Sequence, residues 1–393
     1  MFIAGILVAG LVVSPVTDWA DRHAAPVDRL GPVIGGAAVV GLGESAHGVR
    51  EETQLKFGTL RALVEQYGFR TIAWEEDWTT GQQVDAYIHG SGQDAEPVVR
   101  KMTGTWQTRE VADVLRWLRG YNATHQDKVS FVGVEFYATG LPAYDAVENY
   151  LAAKAPNRLA EARSHLKAVR PPTANIGAWF REYYALADKQ PYIDHARALH
   201  DLVAEVPGPG RDLALHNARQ IRSFYEYPAS PNLWAYRDTE AARNLRWWQR
   251  RSGDKVAYWA AVGHTANAPR QRFVQGDTPP LSFPSAGSHL REWYGRRYVS
   301  IGFTFTRGTI PAGEVPPPPA GWADAPLGAV SRDPFLLDLR GAPESWVQAP
   351  AKIRAVAAYD PANPDECYVT GGTLAEWYDA LIHTRTVTPA TPL

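Results

Sequence analysis

Six short apolar runs punctuate the chain: Ala37–Leu42, Arg70–Trp74, Val129–Val134, Val256–Ala260, Tyr298–Thr304 and Ile353–Ala358. Each is rich in β-branched or aromatic residues and too short for an amphipathic helix, so each predicts a buried strand. Between the early runs the apolar period lengthens. Leu55, Leu60, Leu63 and Val64 recur at helical spacing through Glu52–Tyr67, and Gly68 supplies the left-handed residue that ends a helix. Val111–Tyr121 leads into the third strand in the same way. Strands alternating with helices predict an α/β fold, a central mostly parallel sheet flanked by helices.

From about Leu141 to Trp248 strand patterns cease and helical ones prevail, broken by Pro171-Pro172 and by Pro207-Gly208-Pro209-Gly210. The expected organisation is a core formed by 17–140 and 249–393, with 141–248 inserted as a helical lobe that makes a cleft at the carboxyl ends of the strands. Within Val315–Ala320, Pro316–Pro319 form a stiff crossing loop unable to join a central strand. Around Cys367, Gly371-Gly372 and Trp377-Tyr378 the pattern reads as a strand and an amphipathic helix packed on the core.

Composition narrows the function classes. A chain of 393 residues, 45% hydrophobic, with 14 Trp and 18 Tyr, is not disordered in bulk. Lys+Arg 40 against Asp+Glu 42 leaves no excess charge to draw it onto nucleic acid or anionic lipid. The single cysteine, Cys367, excludes an intramolecular disulfide and a zinc site of several thiolates. Phe2–Val13 is apolar but too short to span a membrane, and it lacks the basic residues that open a signal peptide. Residues 1–16 are therefore read as an apolar extension on a cytoplasmic protein without a stable membrane span; its oligomeric state is unassigned by the sequence, with a monomer favoured.

The chemistry follows the strands. The first runs into Gly43-Glu44-Ser45-Ala46-His47-Gly48, the second ends at Glu75-Glu76-Asp77, the third at Glu135, and His264 follows the fourth. Ligands of open α/β sheets bind beyond the carboxyl ends of the strands, so parallel strands would bring these groups to one crevice. His47, between glycines in a strand-to-helix turn, is the candidate general base. Glu44 is placed to orient it, and Glu51, four residues on, is expected on the same face. Glu75 ends an apolar strand, where desolvation would raise its pKa and suit it to proton transfer. Neither a Gly-x-Ser-x-Gly elbow, a Gly-Lys-Ser phosphate loop nor a Gly-x-Gly-x-x-Gly turn is present. Glu44, His47, Glu75 and His264 could ligate a metal, but no two histidines have the close spacing of a zinc helix, so neither metal nor cofactor is expected.

Gly41-Leu42-Gly43-Glu44-Ser45-Ala46-His47-Gly48, followed by Glu51, Leu55-Lys56 and Tyr67-Gly68-Phe69 leading to Ile72-Ala73-Trp74-Glu75, resembles the opening of the erythromycin esterase family. Trp106 with Glu110, Trp117–Asn122, Val132-Gly133-Val134-Glu135, Tyr236-Arg237-Asp238 with Asn244, and Gly287 to Phe303 extend the resemblance over residues 17 to 310. It implies an α/β core with a helical lobe, and a histidine that activates water to open a macrolactone ester without a metal. Carried over by position, His47 is the base, Glu44 and Glu75 its supporting carboxylates, and His264 the second imidazole. Glu51, Trp106, Glu135 and Arg237 are assigned to substrate binding, Arg237 as a brace of the site.

The family commonly has Trp-Ala-His-Asn-x-His after the fourth strand. Here Trp259-Ala260-Ala261-Val262-Gly263-His264 keeps only the last histidine, removing an imidazole and an amide. The expected activity is carboxylic-ester hydrolysis of an apolar natural product, a macrolactone or polyketide, in resistance or in biosynthesis. The same acid and base could instead serve a cyclase, dehydratase or lyase. A metal-dependent hydrolase and a binding protein that has lost catalysis are the other classes compatible with these residues.

Overall fold

The computed structural model describes residues 14–276, 278–354 and 359–393. The Phe2–Val13 segment and the end of the Ile353–Ala358 run lie outside the described residues. The main sheet is built from β1 (Val39–Glu44), β2 (Phe69–Asp77), β3 (Ser130–Glu135), β4 (Lys255–Ala261), β7 (Tyr298–Ile310), β9 (Phe335–Asp338) and β12 (Ala380–Val387), in the order β3-β2-β4-β1-β7-β12-β9. The first six strands of that order run parallel; β9 pairs antiparallel with β12, and β8 (Gly313–Val315) with β7. The first five predicted runs all become strands of this sheet, because a parallel strand covered on both faces needs an unbroken apolar sequence.

Helices Arg50–Tyr67 and Arg109–Thr124 lead into β2 and β3. Gly68 ends the first in the left-handed conformation, with φ 73°, as its position in the pattern requires. Thr108 caps the second, its hydroxyl accepting from Val111 N–H. At the centre, Trp74 of β2 and Trp259 of β4 are register partners whose rings stack at 4.3 Å.

Between β3 and β4 the described chain forms six helices of ten residues or more, Leu141–Lys154, Leu159–Val169, Ile176–Ala185, Gln190–Glu205, Arg211–Glu226 and Leu233–Ser252. Tyr144, Leu199 and Phe224 belong to an apolar cluster of their own. The last helix returns to the sheet: Ala241, Ala242 and Leu245 pack with Val134 and Tyr258. Residue 248, where strand patterns resume in the sequence, thus falls inside a helix seated on the core.

A second, antiparallel sheet runs β10-β11-β5-β6, with β5 Gln271–Gln275, β6 Thr278–Phe283, β10 Ile353–Arg354 and β11 Cys367–Thr370. The amphipathic helix expected near Trp377 is a single turn, Leu374–Trp377, and the chain beyond it becomes β12. Pro316–Pro319 carry no regular structure, as expected of a crossing loop. Among the described residues no helix is long and apolar enough to cross a membrane.

Candidate functional site

Neighbouring β1, β4 and β2 deliver Glu44, the His264 turn and Glu75 to one edge of the sheet. Gly43 permits the approach, since a Cβ there would lie 2.1 Å from Thr265 Oγ1 and 2.8 Å from Val262 Cα. Past Glu44 the chain turns sharply, with Gly48 at φ 68°. The turn is pinned from inside: the buried Glu52 carboxylate accepts from Ser45 Oγ at 2.7 Å, from Ser45 N–H at 3.3 Å and from Ala46 N–H at 3.1 Å. Burial pushes the Glu52 carboxyl up to about 7 against the pull of these donors.

His47 projects from this turn with its side chain 27% exposed. Its Nδ1 lies 2.8 Å from Glu44 Oε1, and its ring meets the Trp106 indole edge-on at 4.9 Å. The other Glu44 oxygen accepts from Lys56, an inaccessible amine that burial holds well below its ordinary pKa; it also donates to Ala260 O at 3.2 Å and sits 4.3 Å from the Trp259 ring centroid. With Nδ1–H donated to Glu44, His47 Nε2 presents a lone pair toward Glu75 Oε2, 3.9 Å away. Burial holds the His47 pKa below its ordinary value, and the positive His264 and Arg237 act in the same direction against Glu75.

His264 is the counterpart. Its Nδ1 lies 2.9 and 3.0 Å from the two oxygens of Asp238, whose Oδ1 also accepts from Ala286 N–H at 2.7 Å. Its Nε2 is 3.3 Å from Glu75 Oε1. Burial opposes protonation, but Asp238 and Glu75 overcome it, and the His264 pKa is raised to about 10. Glu75 therefore stands between two imidazoles, each oriented by its own carboxylate.

Arg237 completes the centre, donating Nη2–H to Glu75 at 2.6 Å and Nε–H to Glu135 at 3.0 Å. Its Nη1 approaches His264 Nε2 to 3.2 Å, a like-charge contact tolerable only with Glu75 beside both groups. Ala261 N–H donates to Glu75 Oε2 at 2.9 Å. Burial alone would raise the Glu75 pKa, as its sequence context predicts. The positive His264 and Arg237, with the His47 imidazole beside them, reverse the sign and hold it well below the usual carboxylate range, so Glu75 is a fixed anion, not a proton donor.

Two cavities meet at this centre. One of about 230 Å³ has apolar walls from Trp234, Val262, Phe273, Leu281 and Phe283 and reaches His47, Glu75, Arg237 and His264. The other, about 370 Å³, is lined by His47, Glu75 and Arg237 together with Trp106, Tyr137, Phe180 and Tyr227 and with Thr103 and Thr105. Trp106 is fixed there by its indole N–H, which donates to Glu75 O at 3.0 Å.

Five sequence candidates, Glu44, His47, Glu75, Arg237 and His264, come together, with Trp106 beside them. Two do not reach the cavities. Glu51 accepts from Thr388 N–H at 2.6 Å and Thr388 Oγ1 at 2.7 Å, holding the carboxy-terminal segment. His47 precedes the helix, which starts at Arg50, so helical periodicity does not carry from 47 to 51. Glu135 is 0% exposed and lies behind Arg237 as its brace, away from the substrate space. Asp238, Lys56 and Glu52 carry no role in the sequence reading. Glu52 and Lys56 stand in the stripe 52, 56, 59, 60, 63 that the helix buries, and charges inside a buried stripe were their signal.

One ligand atom from each of Glu44, His47 and Glu75 lies within 4.8 Å of the others, a donor set able to hold a divalent ion. Lys56 already pairs with Glu44, and the positive Arg237 and His264 with Glu75, so a cation there would have to displace these partners.

Comparison with known proteins places these observations in context. A family model described as erythromycin esterase matches residues 64–387. Erythromycin esterase type II from Escherichia coli is 33% identical over 124 residues, 31% of this chain and 29% of that protein. Type I from the same organism is 28% identical over 119 residues, covering 30% and 29%. The alignments thus span less than a third of either relative. Among solved structures, a Bacillus cereus protein superposes with TM-score 0.84 at 24% identity, covering 96% of this chain and 98% of that one. A mutant erythromycin esterase in its open conformation superposes with TM-score 0.71 at 18% identity over 94% and 98%. At these identities the structural likeness establishes the fold.

Proposed function

The chain belongs to the erythromycin esterase family, and from that premise we propose that it hydrolyses an ester or lactone of an apolar natural product with His47 as general base. The observation that carries this reading is the pair of oppositely tuned imidazoles on either side of Glu75. A neutral His47 accepts a proton at Nε2 from a water in the cleft, and the resulting hydroxide attacks the ester carbonyl. The protonated His264 and Arg237 face the developing oxyanion, where fixed positive charge in a water-poor site lowers the barrier. Collapse breaks the carbon–oxygen bond, and the proton taken by His47 returns to the leaving oxygen. One water is consumed and no covalent enzyme intermediate forms.

The apolar cavity walls suit a hydrophobic portion of the substrate, and the aromatic and threonine-lined cavity suits a mixed-polarity portion. One observation favours the elimination or cyclisation alternative: Ala261 and Val262 line the first cavity with apolar side chains where the family commonly has an imidazole and an amide. Turnover of macrolides, simple esters and polyketide lactones in isotopically labelled water separates the two. Hydrolysis places the label in the product acid and His47→Ala abolishes it; an unlabelled product would assign the chain to proton transfer without water.

A further inference from the structure

On the helix Leu233–Ser252, Arg243, Arg246, Arg250 and Arg251 recur at helical spacing and face the helix Arg211–Glu226, which contributes Arg219. Together they line a groove of about 490 Å³ that shares no residue with the catalytic cavities. Arg237 and Trp247 of the same helix are separated by about 15 Å along its axis. The floor is rigid. Trp247 stacks on the buried His216 ring at 3.6 Å and donates its indole N–H to Asp212 at 2.9 Å.

Charge here departs from the rest of the molecule. The chain carries a formal charge of -2, whereas the lining of this groove sets five arginines against one carboxylate. Among the described residues, Arg219, Arg246 and Arg250 have no carboxylate within 4 Å. Asp212, the single acidic residue of the lining, is tied to Arg251 and Trp247. Arg219 donates to Asn244 at 2.8 Å, and its buried Nε has no partner. The helix dipole accounts for cations in the last turn, Arg250 and Arg251, but not for Arg219, Arg243 or Arg246.

We propose that this groove binds a soluble small molecule carrying two or more phosphoryl groups. Guanidinium forks match phosphate oxygens in bidentate geometry, and an anion would relieve the mutual repulsion of the unpaired cations. Arg243 and Arg250 are two turns apart, about 10 Å, so one phosphate could not engage both ends of the groove.

The test is calorimetric titration of the full chain with inorganic triphosphate at physiological ionic strength, beside Arg246→Glu/Arg250→Glu and, separately, Arg219→Gln. Binding by wild type that weakens roughly ten-fold or more in both variants, with melting temperatures retained and binding unaltered in the remote Arg158→Glu, supports the site. Absence of binding, or equal binding by wild type and both variants, overturns it. Retention of affinity when sulfate replaces triphosphate would overturn phosphoryl selectivity. Preferential capture on phosphatidylcholine vesicles doped with phosphatidic acid would overturn the soluble source. None of these readouts depends on ester turnover, so the inference fails or stands apart from the hydrolase reading.

Discussion

The His47 and His264 sides of the cleft share a plan and differ in outcome. Each ring has a carboxylate on Nδ1, at 2.8 Å for Glu44 and 2.9 Å for Asp238, and each turns Nε2 to Glu75. Yet the His47 pKa is lowered and the His264 pKa raised to about 10. The carboxylates' other partners explain the divergence. Glu44 is shared between His47 and Lys56, and burial, with the positive His264 and Arg237, keeps the His47 pKa down. Asp238 has a backbone N–H as its further partner, so its charge is spent on the imidazole. Two imidazoles with the same kind of Nδ1 partner are thus tuned apart by what else surrounds each of them.

Removing the proposed base is the most damaging way to break this arrangement. His47→Ala is expected to lower kcat on the order of 10²–10⁴-fold, with the melting temperature little changed because the side chain is partly exposed. Retention of ester turnover in that variant would eliminate His47 as the base. Asp238→Asn comes next. His264 should titrate well below about 10, seen by NMR of the ring, and kcat should fall by about 10²-fold, the size of losing one oxyanion-stabilising group. A chemical shift that did not move would separate Asp238 from the tuning of His264.

The pH profile reports both sides at once. Hydrolysis needs His47 neutral and His264 protonated. Activity should be lost as pH falls through the lowered His47 pKa and lost again as pH rises through about 10, giving a broad plateau in kcat/KM. Lys56→Met sharpens the comparison, since it leaves an uncompensated Glu44 anion on His47. The acid limb should then move upward by about a unit or more, making His47 resemble His264; an unmoved limb would show that Lys56 does not set the His47 pKa.

Much of this was legible in the chain, for identifiable reasons. The central strands are apolar on both faces and stop at their chemistry, so β1 to β4 displayed Glu44, Glu75 and the approach to His264. Strand β6 contains Pro279-Pro280, and β12 mixes His383, Thr384 and Arg385 into an apolar run, so neither has a clean strand signature. Among site residues, Glu44, Glu75 and Glu135 sit at strand ends and His47 and His264 in the turns just beyond them, where position alone signals function, whereas Arg237 and Trp106 were found through the family resemblance. Asp238, Lys56 and Glu52 act through tertiary partners 26, 12 and 7 residues away, and no local pattern encodes those pairings.

The smallest expected effect separates adjacent glutamates. Glu51→Gln should leave kcat unchanged and cost less than about 1 kcal/mol, because its contacts with Thr388 lie at the surface and an amide oxygen can still accept one of them. Glu52→Gln should cost roughly 1–3 kcal/mol and reduce turnover, because an amide N–H₂ would face Ser45 or Ala46 donors and leave one unpaired. The sign of its pH dependence follows from the raised carboxyl. Folded Glu52 holds its proton to about 7, above its unfolded value, so its contribution is fully present below the ordinary carboxylate range and is lost as pH rises through about 7. Denaturant melts across that window should show wild type losing stability relative to Glu52→Gln, whereas Glu51→Gln should run parallel to wild type. Identical behaviour of the two variants would mean that the His47 turn is not held by the carboxylate beneath it.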